Sequence, residues 1–210
     1  MEDALKELSK KGTTTLGIVT KEGIVVAADK RATMGYLIAH KAVDKIFKVN
    51  DTLVMTTAGL VGDNQMLLRY LKGQLNLYEL KKGSKPSVKA SSTLLAHILY
   101  GNRFSPWPFY VQILLAGVDE TGYHLYTLTP DGTSLEDNYI STGSGSVVVY
   151  GLLQEHFKKN MSLDEATKLG YRCIRTAMER DIGTGENVDL VQITKSGIKF
   201  LTPEQISKIK

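Results

Sequence analysis

Apolar positions along the chain repeat at two periods. Runs of strand length, unbroken or loosely alternating, cover residues 14–20, 24–28, 45–49, 53–57, 110–118, 123–128, 138–142, 187–194 and 198–201. Turn residues separate several of them, as in Lys21-Glu22-Gly23, Asn50-Asp51, Glu120-Thr121-Gly122 and Pro130-Asp131-Gly132. Such runs pair as hairpins. Residues 32–42 are ambiguous and read as a loop running into a short strand, and residues 58–63 break the strand before them. Met66, Leu67, Tyr70, Leu71 and Leu75 lie at helical spacing, with Asp63 or Asn64 available as the cap and Gly83 as the stop. A second helix covers residues 87–100, and the Pro-rich stretch 104–108 with Trp107 reads as a packed corner. Gly143-Ser144-Gly145-Ser146 opens a helix through about Phe157. Ser162 and Glu165 have the spacing of a capping box for a helix running toward Arg180. Thr202-Pro203-Glu204-Gln205 opens a short last helix with Pro203 at its first position.

The order is strands, two helices, strands, two helices, strands. Paired helices between blocks of hairpins do not suit a βαβ wound sheet. They suit antiparallel sheets with helices segregated to the outer faces. Two sheets packed face to face, each covered outside by a helix pair, bury every apolar face named above. No repeat, low-complexity stretch or linker marks a second domain.

Composition narrows the classes. A chain of 210 residues buries a sizeable single core. Net charge is +4, and the basic residues are scattered, with only short pairs such as Lys81-Lys82 and Lys158-Lys159. That argues against nucleic acid as the main partner. Cys173 is the only cysteine, which excludes an internal disulfide and a multi-cysteine metal site and fits a reducing cytoplasm. His40, His97, His124 and His156 lie far apart without metal-ligand spacing and read as structural or surface residues. No apolar run approaches the ~18 residues of a membrane span. Residues 1–12 carry three basic and three acidic side chains and lack the apolar stretch of a secretory signal.

The candidate chemistry begins at Lys11-Gly12-Thr13-Thr14-Thr15-Leu16-Gly17-Ile18. Three β-branched residues after a glycine are good strand formers, and the octapeptide alone favours that reading. If the Gly12–Thr13 bond is cut, however, Thr13 carries a hydroxyl and a free α-amine on one residue. A threonine activated by its own amine is an established nucleophile.

Other stretches join it in register: Ala28-Asp29-Lys30-Arg31, Lys45-Ile46, Thr57-Ala58-Gly59-Leu60-Val61-Gly62-Asp63, Thr142-Gly143-Ser144-Gly145-Ser146 and Arg180-Asp181. Each is weak alone. Together, in this order and spacing, they resemble the β subunits of proteasomes, most of all the archaeal type, within the N-terminal nucleophile hydrolases. The resemblance covers essentially the whole chain after residue 12. It implies an α+β fold, a four-layer αββα sandwich, in agreement with the element order.

The resemblance also implies roles. Thr13 is the nucleophile and its freed amine the general base. Lys45 sits beside the Thr13 hydroxyl and lowers its pKa, with Asp29 as the partner of that buried charge; without the resemblance Lys45 reads as a solvated strand lysine. The Gly59 N–H forms the oxyanion hole, where the residue pattern alone gives a strand-ending turn. Ser144 and Asp181 hold the Thr13 amine. Residues 143–146 lack the Lys-Ser/Thr that a phosphate-binding loop requires. Thr184 stands where the family has a serine, three residues after the aspartate, and keeps the hydroxyl. Ala32, Val43, Phe47 and Thr57 line the pocket for the residue before the cut, with Thr57 replacing a usually apolar side chain.

The expectation is a threonine endopeptidase acting on unfolded polypeptides without metal or organic cofactor. Residues 1–12 form a leader that Thr13 removes itself, leaving residues 13–210 as one catalytic domain. The resemblance implies rings of seven β subunits, two stacked, capped by α-subunit rings and fed by an ATPase. The rival readings are an unprocessed, non-catalytic ring subunit and an N-terminal nucleophile hydrolase of small amides.

Overall fold

A computed structural model of the chain describes residues 12–209. The leader reading for residues 1–11 lies outside the described residues. One five-stranded antiparallel sheet contains β1 (Thr14–Val19), β2 (Ile24–Asp29), β10 (Tyr139–Gly143), β11 (Val188–Thr194) and β12 (Gly197–Phe200), in the spatial order β10-β1-β2-β11-β12. The other contains β5 (Ile46–Lys48), β6 (Leu53–Gly59), β7 (Val111–Asp119), β8 (Gly122–Leu128) and β9 (Ser134–Glu136), in sequence order. A separate small hairpin joins β3 (Ala32–Met34) to β4 (Leu37–His40).

Helices α1 (Val61–Lys82) and α2 (Val88–Asn102) cover the outer face of the second sheet. Helices α3 (Ser146–His156) and α4 (Leu163–Arg180) cover the first, and α5 (Pro203–Ile206) follows the last strand. The result is the four-layer αββα sandwich expected from the element order.

Alternation along each strand explains the layers, because successive side chains point to opposite faces. In β2, Ile24, Val26 and Ala28 face the other sheet, while Val25 and Ala27 face α3 and α4. In β7, Leu114, Ala116 and Val118 face inward, while Val111, Ile113 and Leu115 face α1 and α2. Strands buried on both faces read as continuous apolar runs, and that is why these segments stood out in the sequence.

Several boundaries differ from the sequence reading. The ambiguous stretch 32–42 is the β3–β4 hairpin, and β9 was not expected. Strand β6 runs on through Ala58 to Gly59, so the break comes at Leu60. Helix α1 begins at Val61, with Leu60 as its N-cap and no side-chain cap. Asp63 does not cap it: its carboxylate accepts the Tyr110 N–H at 2.9 Å, ahead of β7. Asn64 Nδ2 instead donates to Leu60 O at 2.9 Å. On α1, Leu67, Leu71 and Leu75 are buried, whereas Met66 and Tyr70 are exposed. Trp107 is 59% exposed, so the Pro-rich corner is not packed around its ring. The capping boxes at Ser162/Glu165 and Thr202/Gln205 are both formed.

The inter-sheet core is tight at Gly17. A Cβ there would lie 2.6 Å from Leu125 Cδ1, so the Leu125 side chain from β8 packs directly on β1 across the gap between the sheets. Leu125→Ala should lower the unfolding free energy by about 2–5 kcal/mol in urea titrations, since a buried leucine is replaced by a cavity. A loss below about 1 kcal/mol would show that the sheets close over the site and that Gly17 does not fix their spacing.

Candidate active site

The site forms where strand ends meet at one edge of the sandwich. In the first sheet, Thr13 precedes β1, β2 ends at Asp29 and β10 ends at Gly143; Thr14 pairs with Gly143 and Thr15 with Ala28. In the second sheet, β5 begins after Lys45 and β6 ends at Gly59. Antiparallel pairing therefore brings residues far apart in sequence to one place.

Asp29 is fully buried and accepts four hydrogen bonds. Oδ1 accepts Lys45 Nζ at 2.7 Å and the Thr14 N–H at 2.9 Å. Oδ2 accepts the Arg31 and Gly185 N–H groups, each at 3.0 Å. Lys45 precedes β5 rather than projecting from it, and its carbonyl accepts the Thr57 N–H at 3.0 Å, which extends the β5–β6 pairing. Burial pushes the Lys45 ammonium below the usual lysine range, and the Asp29 carboxylate opposes that shift.

Thr13 is buried. Thr13 Oγ1 donates to the Gly12 carbonyl oxygen at 2.7 Å. The Thr13 N–H donates to Ser144 Oγ at 3.3 Å, and Ser144 Oγ donates to Asp181 Oδ2 at 2.6 Å. Asp181 thus reaches the Thr13 nitrogen through Ser144. Thr184, fully buried, donates its hydroxyl to the same Asp181 oxygen and lies 2.6 Å from Thr14 Oγ1.

Glycines permit the close approaches. Gly59 has φ +105°, and a Cβ there would lie 2.1 Å from Tyr110 O. Gly12 is held on two sides: its N–H donates to Thr33 Oγ1 at 2.8 Å, and a Cβ on it would stand 2.0 Å from Gly183 Cα. Arg31 straps the loop that carries Asp181 and Thr184. Its guanidinium donates to Ile182 O at 3.1 Å and pairs with Glu186 at 3.2 Å.

A cavity of about 260 Å³ opens at Thr13. All four residues expected to form the pocket, Ala32, Val43, Phe47 and Thr57, line it together with Lys45 and Gly59. Sequence reasoning missed Asp44, Val61, Asn64, Gln65 and Leu68, which also line it. The last four share one face of α1 at spacings of three, four and seven. Placing the cap at Asp63 or Asn64 left Val61 outside the helix and hid that face. A second cavity of about 310 Å³ lies on the other side of Gly59, bordered by Tyr110, Gln112, Gly143 and Ser144. No helix among the described residues is long and apolar enough to cross a membrane.

Residues 9–193 match the family model for proteasome subunits. A proteasome subunit beta of Methanospirillum hungatei is 48% identical over 198 residues, covering 94% of each chain. One of Ferroglobus placidus is 45% identical over 200 residues, covering 95% of this chain and 94% of that protein. One of Methanobrevibacter smithii is 42% identical over 209 residues, covering 100% of this chain and 98% of that protein. With the sandwich fold and a family match across most of its length, the chain belongs to the proteasome subunit family, among its β subunits.

Proposed function

We propose that the chain is a catalytic β subunit: a threonine endopeptidase that cuts peptide bonds of unfolded polypeptides inside a proteasome core, after Thr13 has removed its own leader. The family supports a hydrolase role and assembly with other proteasome subunits. The observation that carries the finer reading is Thr13 Oγ1 standing 2.7 Å from the Gly12 carbonyl oxygen, beside the Lys45–Asp29 pair and Gly59.

Processing requires that hydroxyl to turn from the Gly12 carbonyl oxygen to its carbon. Thr13 Oγ1 attacks the Gly12 carbonyl carbon while its proton passes to a water near Ser144 and Asp181. The C–N bond breaks, the Thr13 nitrogen takes a proton, and an ester joins Gly12 to Thr13. Water then hydrolyses the ester, releasing the leader as a carboxylic acid and leaving Thr13 with a free amine and hydroxyl. The Gly59 N–H stabilises the oxyanion, and such a donor is worth ~3 kcal/mol in the transition state.

Turnover of substrate repeats the chemistry with the amine as general base. The Lys45 ammonium steadies the developing alkoxide, and its depressed pKa reflects how dry the position is. The substrate carbonyl carbon is attacked by Oγ1, the amine of the second fragment leaves with a proton, and water releases the acyl fragment. The residue before the cut enters the cavity lined by Ala32, Val43, Phe47 and Thr57. The fragment that leaves lies toward the second cavity across Gly59. Rings of seven β subunits, two stacked, capped by α rings and supplied by an ATPase in the cytoplasm, complete the proposal. Sealing the site inside such a barrel keeps a nucleophile of broad reach away from folded proteins.

Four outcomes test this reading. Intact mass of the purified assembly should show the leader lost from the wild type and retained in Thr13→Ala. Gly12→Ala should process at least tenfold more slowly, because its Cβ would meet Gly183 backbone. A Thr13→Ala chain that still begins at residue 13 would assign processing to another protease. Lys45→Ala should lower peptide hydrolysis by at least about a hundredfold while assembly persists, since Asp29 keeps three backbone N–H donors. Near-normal turnover in that variant would remove Lys45 from the mechanism. Finally, a peptide library should show cleavage after apolar residues, broadened toward polar ones by Thr57 and Gln65; dominant cutting after acidic residues would refute the pocket assignment.

A further inference from the structure

Thr14 is fully buried, and its N–H and hydroxyl reach different parts of the site. Its N–H donates to Asp29 Oδ1 at 2.9 Å, on the same oxygen that holds Lys45. Its hydroxyl lies 2.6 Å from Thr184 Oγ1. The direction of that bond follows from proton counting. Thr184 has one hydroxyl proton and gives it to Asp181 Oδ2. The Thr184 oxygen is therefore the acceptor toward Thr14, and Thr14 is the donor.

The same counting fixes Ser144. Its Oγ lies 2.6 Å from Asp181 Oδ2 and 3.4 Å from Thr13 O. The charged and shorter contact takes the single proton. Ser144 then turns a lone pair to the Thr13 nitrogen at 3.3 Å. Ser144 is exposed, so packing does not hold its hydroxyl; the bond to Asp181 does. A path thus leaves the chain at the Thr13 nitrogen, passes through Ser144, Asp181 and Thr184, and returns at the Thr14 hydroxyl. Room for it is reserved at Gly145, where a Cβ would lie 2.1 Å from Thr14 Oγ1 and 3.1 Å from Thr184 Oγ1.

We infer that Thr14 is a positioning residue for the reaction: its hydroxyl orients Thr184 and Asp181, which keep Ser144 an acceptor toward the Thr13 nitrogen. With Ser144 accepting, the lone pair of the freed amine stays available to take the Thr13 hydroxyl proton. If Asp181 swings, Ser144 is released to donate into that lone pair and blocks the base. Thr14 also couples this arm to the Lys45–Asp29 arm through one residue of backbone. The inference rests on the reading of Thr13 as nucleophile and amine base.

The test compares two buried hydroxyls in the assembled particle. Thr14→Val keeps the shape and removes the donor. Thr15→Val removes a neighbouring hydroxyl whose partners, Thr56 at 3.0 Å and Thr142 at 2.7 Å, lead away from Asp181. Wild type and Thr13→Ala frame the assay: if wild type is inactive, or Thr13→Ala active, the nucleophile reading itself fails. Within that frame, Thr14→Val should lower kcat by about tenfold to a hundredfold at unchanged KM. Thr14→Ser should restore kcat, and Thr15→Val should retain it. Wild-type kcat in Thr14→Val, an equal fall in Thr15→Val, or no rescue by Thr14→Ser would overturn the inference. So would failure of both Thr14→Val and Thr14→Ala to assemble, which would assign the hydroxyl to folding.

Discussion

The site depends on the buried carboxylate of Asp29. A carboxylate with no solvent access is costly unless its oxygens are satisfied. Here each oxygen accepts two donors, and the donors come from four places: β1 through Thr14, the turn after β2 through Arg31, the segment before β5 through Lys45, and the loop after α4 through Gly185. Meeting the needs of one buried charge thus fixes the relative position of four chain segments. It also explains how a lysine is kept in the wall of a mostly apolar cavity. A buried ion pair adds little net stability, because the cost of taking both charges out of water offsets their attraction. The pair's value therefore lies in where it puts the ammonium.

The second constraint is steric. Thr13 is reached by backbone from several directions, and at those contacts the chain carries glycine. A Cβ on Gly12 would lie 2.0 Å from Gly183 Cα, one on Gly183 would lie 2.4 Å from Gly12 Cα, and one on Gly143 would lie 2.0 Å from Thr13 O. A Cβ on Gly185 would lie 2.2 Å from the Arg31 guanidinium carbon, so Arg31 lies flat along the loop it straps. The polar groups are thus set by Asp29 and the distances between backbones by missing side chains. Neither device works alone: hydrogen bonds of 2.7 to 3.0 Å around Asp29 require strands that close, and close backbones need a reason to stay.

Much of this was legible in the sequence, for identifiable reasons. Strands buried on both faces produce apolar runs, so most of β1, β2, β6, β7 and β8 could be read. Ser162 and Glu165 announce a helix start because the two residues satisfy each other's backbone. Thr13, Asp29, Lys45 and Gly59 could be singled out because motifs in register carry more information than any one of them, and the fold brings the four to one cavity wall or its border. What failed was read from weaker physics. Asp63 has the chemistry of a cap, but its carboxylate is taken by Tyr110 in a contact 47 residues away. In the β3–β4 hairpin only Thr33 among the strand residues is buried, too little to impose alternation on its sequence. The α1 wall of the cavity, from Val61 to Leu68, borders a space rather than a core, and no hydrophobic period marks such a face. Thr184 was placed in the site by its position three residues after Asp181; that its hydroxyl contacts Asp181 and Thr14 is a relation only the folded loop shows.

The three consecutive threonines bring these threads together. As strand formers they are interchangeable with valine, and β propensity gives no reason to prefer a hydroxyl at any of them. In the fold each hydroxyl has a different partner. That of Thr13 meets the carbonyl of the residue before it. That of Thr14 meets Thr184, and that of Thr15 meets Thr142 in its own sheet and Thr56 in the other. Alternation places Thr14 on the face toward α4 and its loop, and Thr15 on the face toward the second sheet. A buried hydroxyl without a partner costs more than the methyl it displaces. Each position is therefore tied to a specific partner across the fold. The three hydroxyls thus leave the chain in different directions, those of Thr14 and Thr15 on opposite faces of β1 and that of Thr13, just ahead of the strand, toward the Gly12 carbonyl.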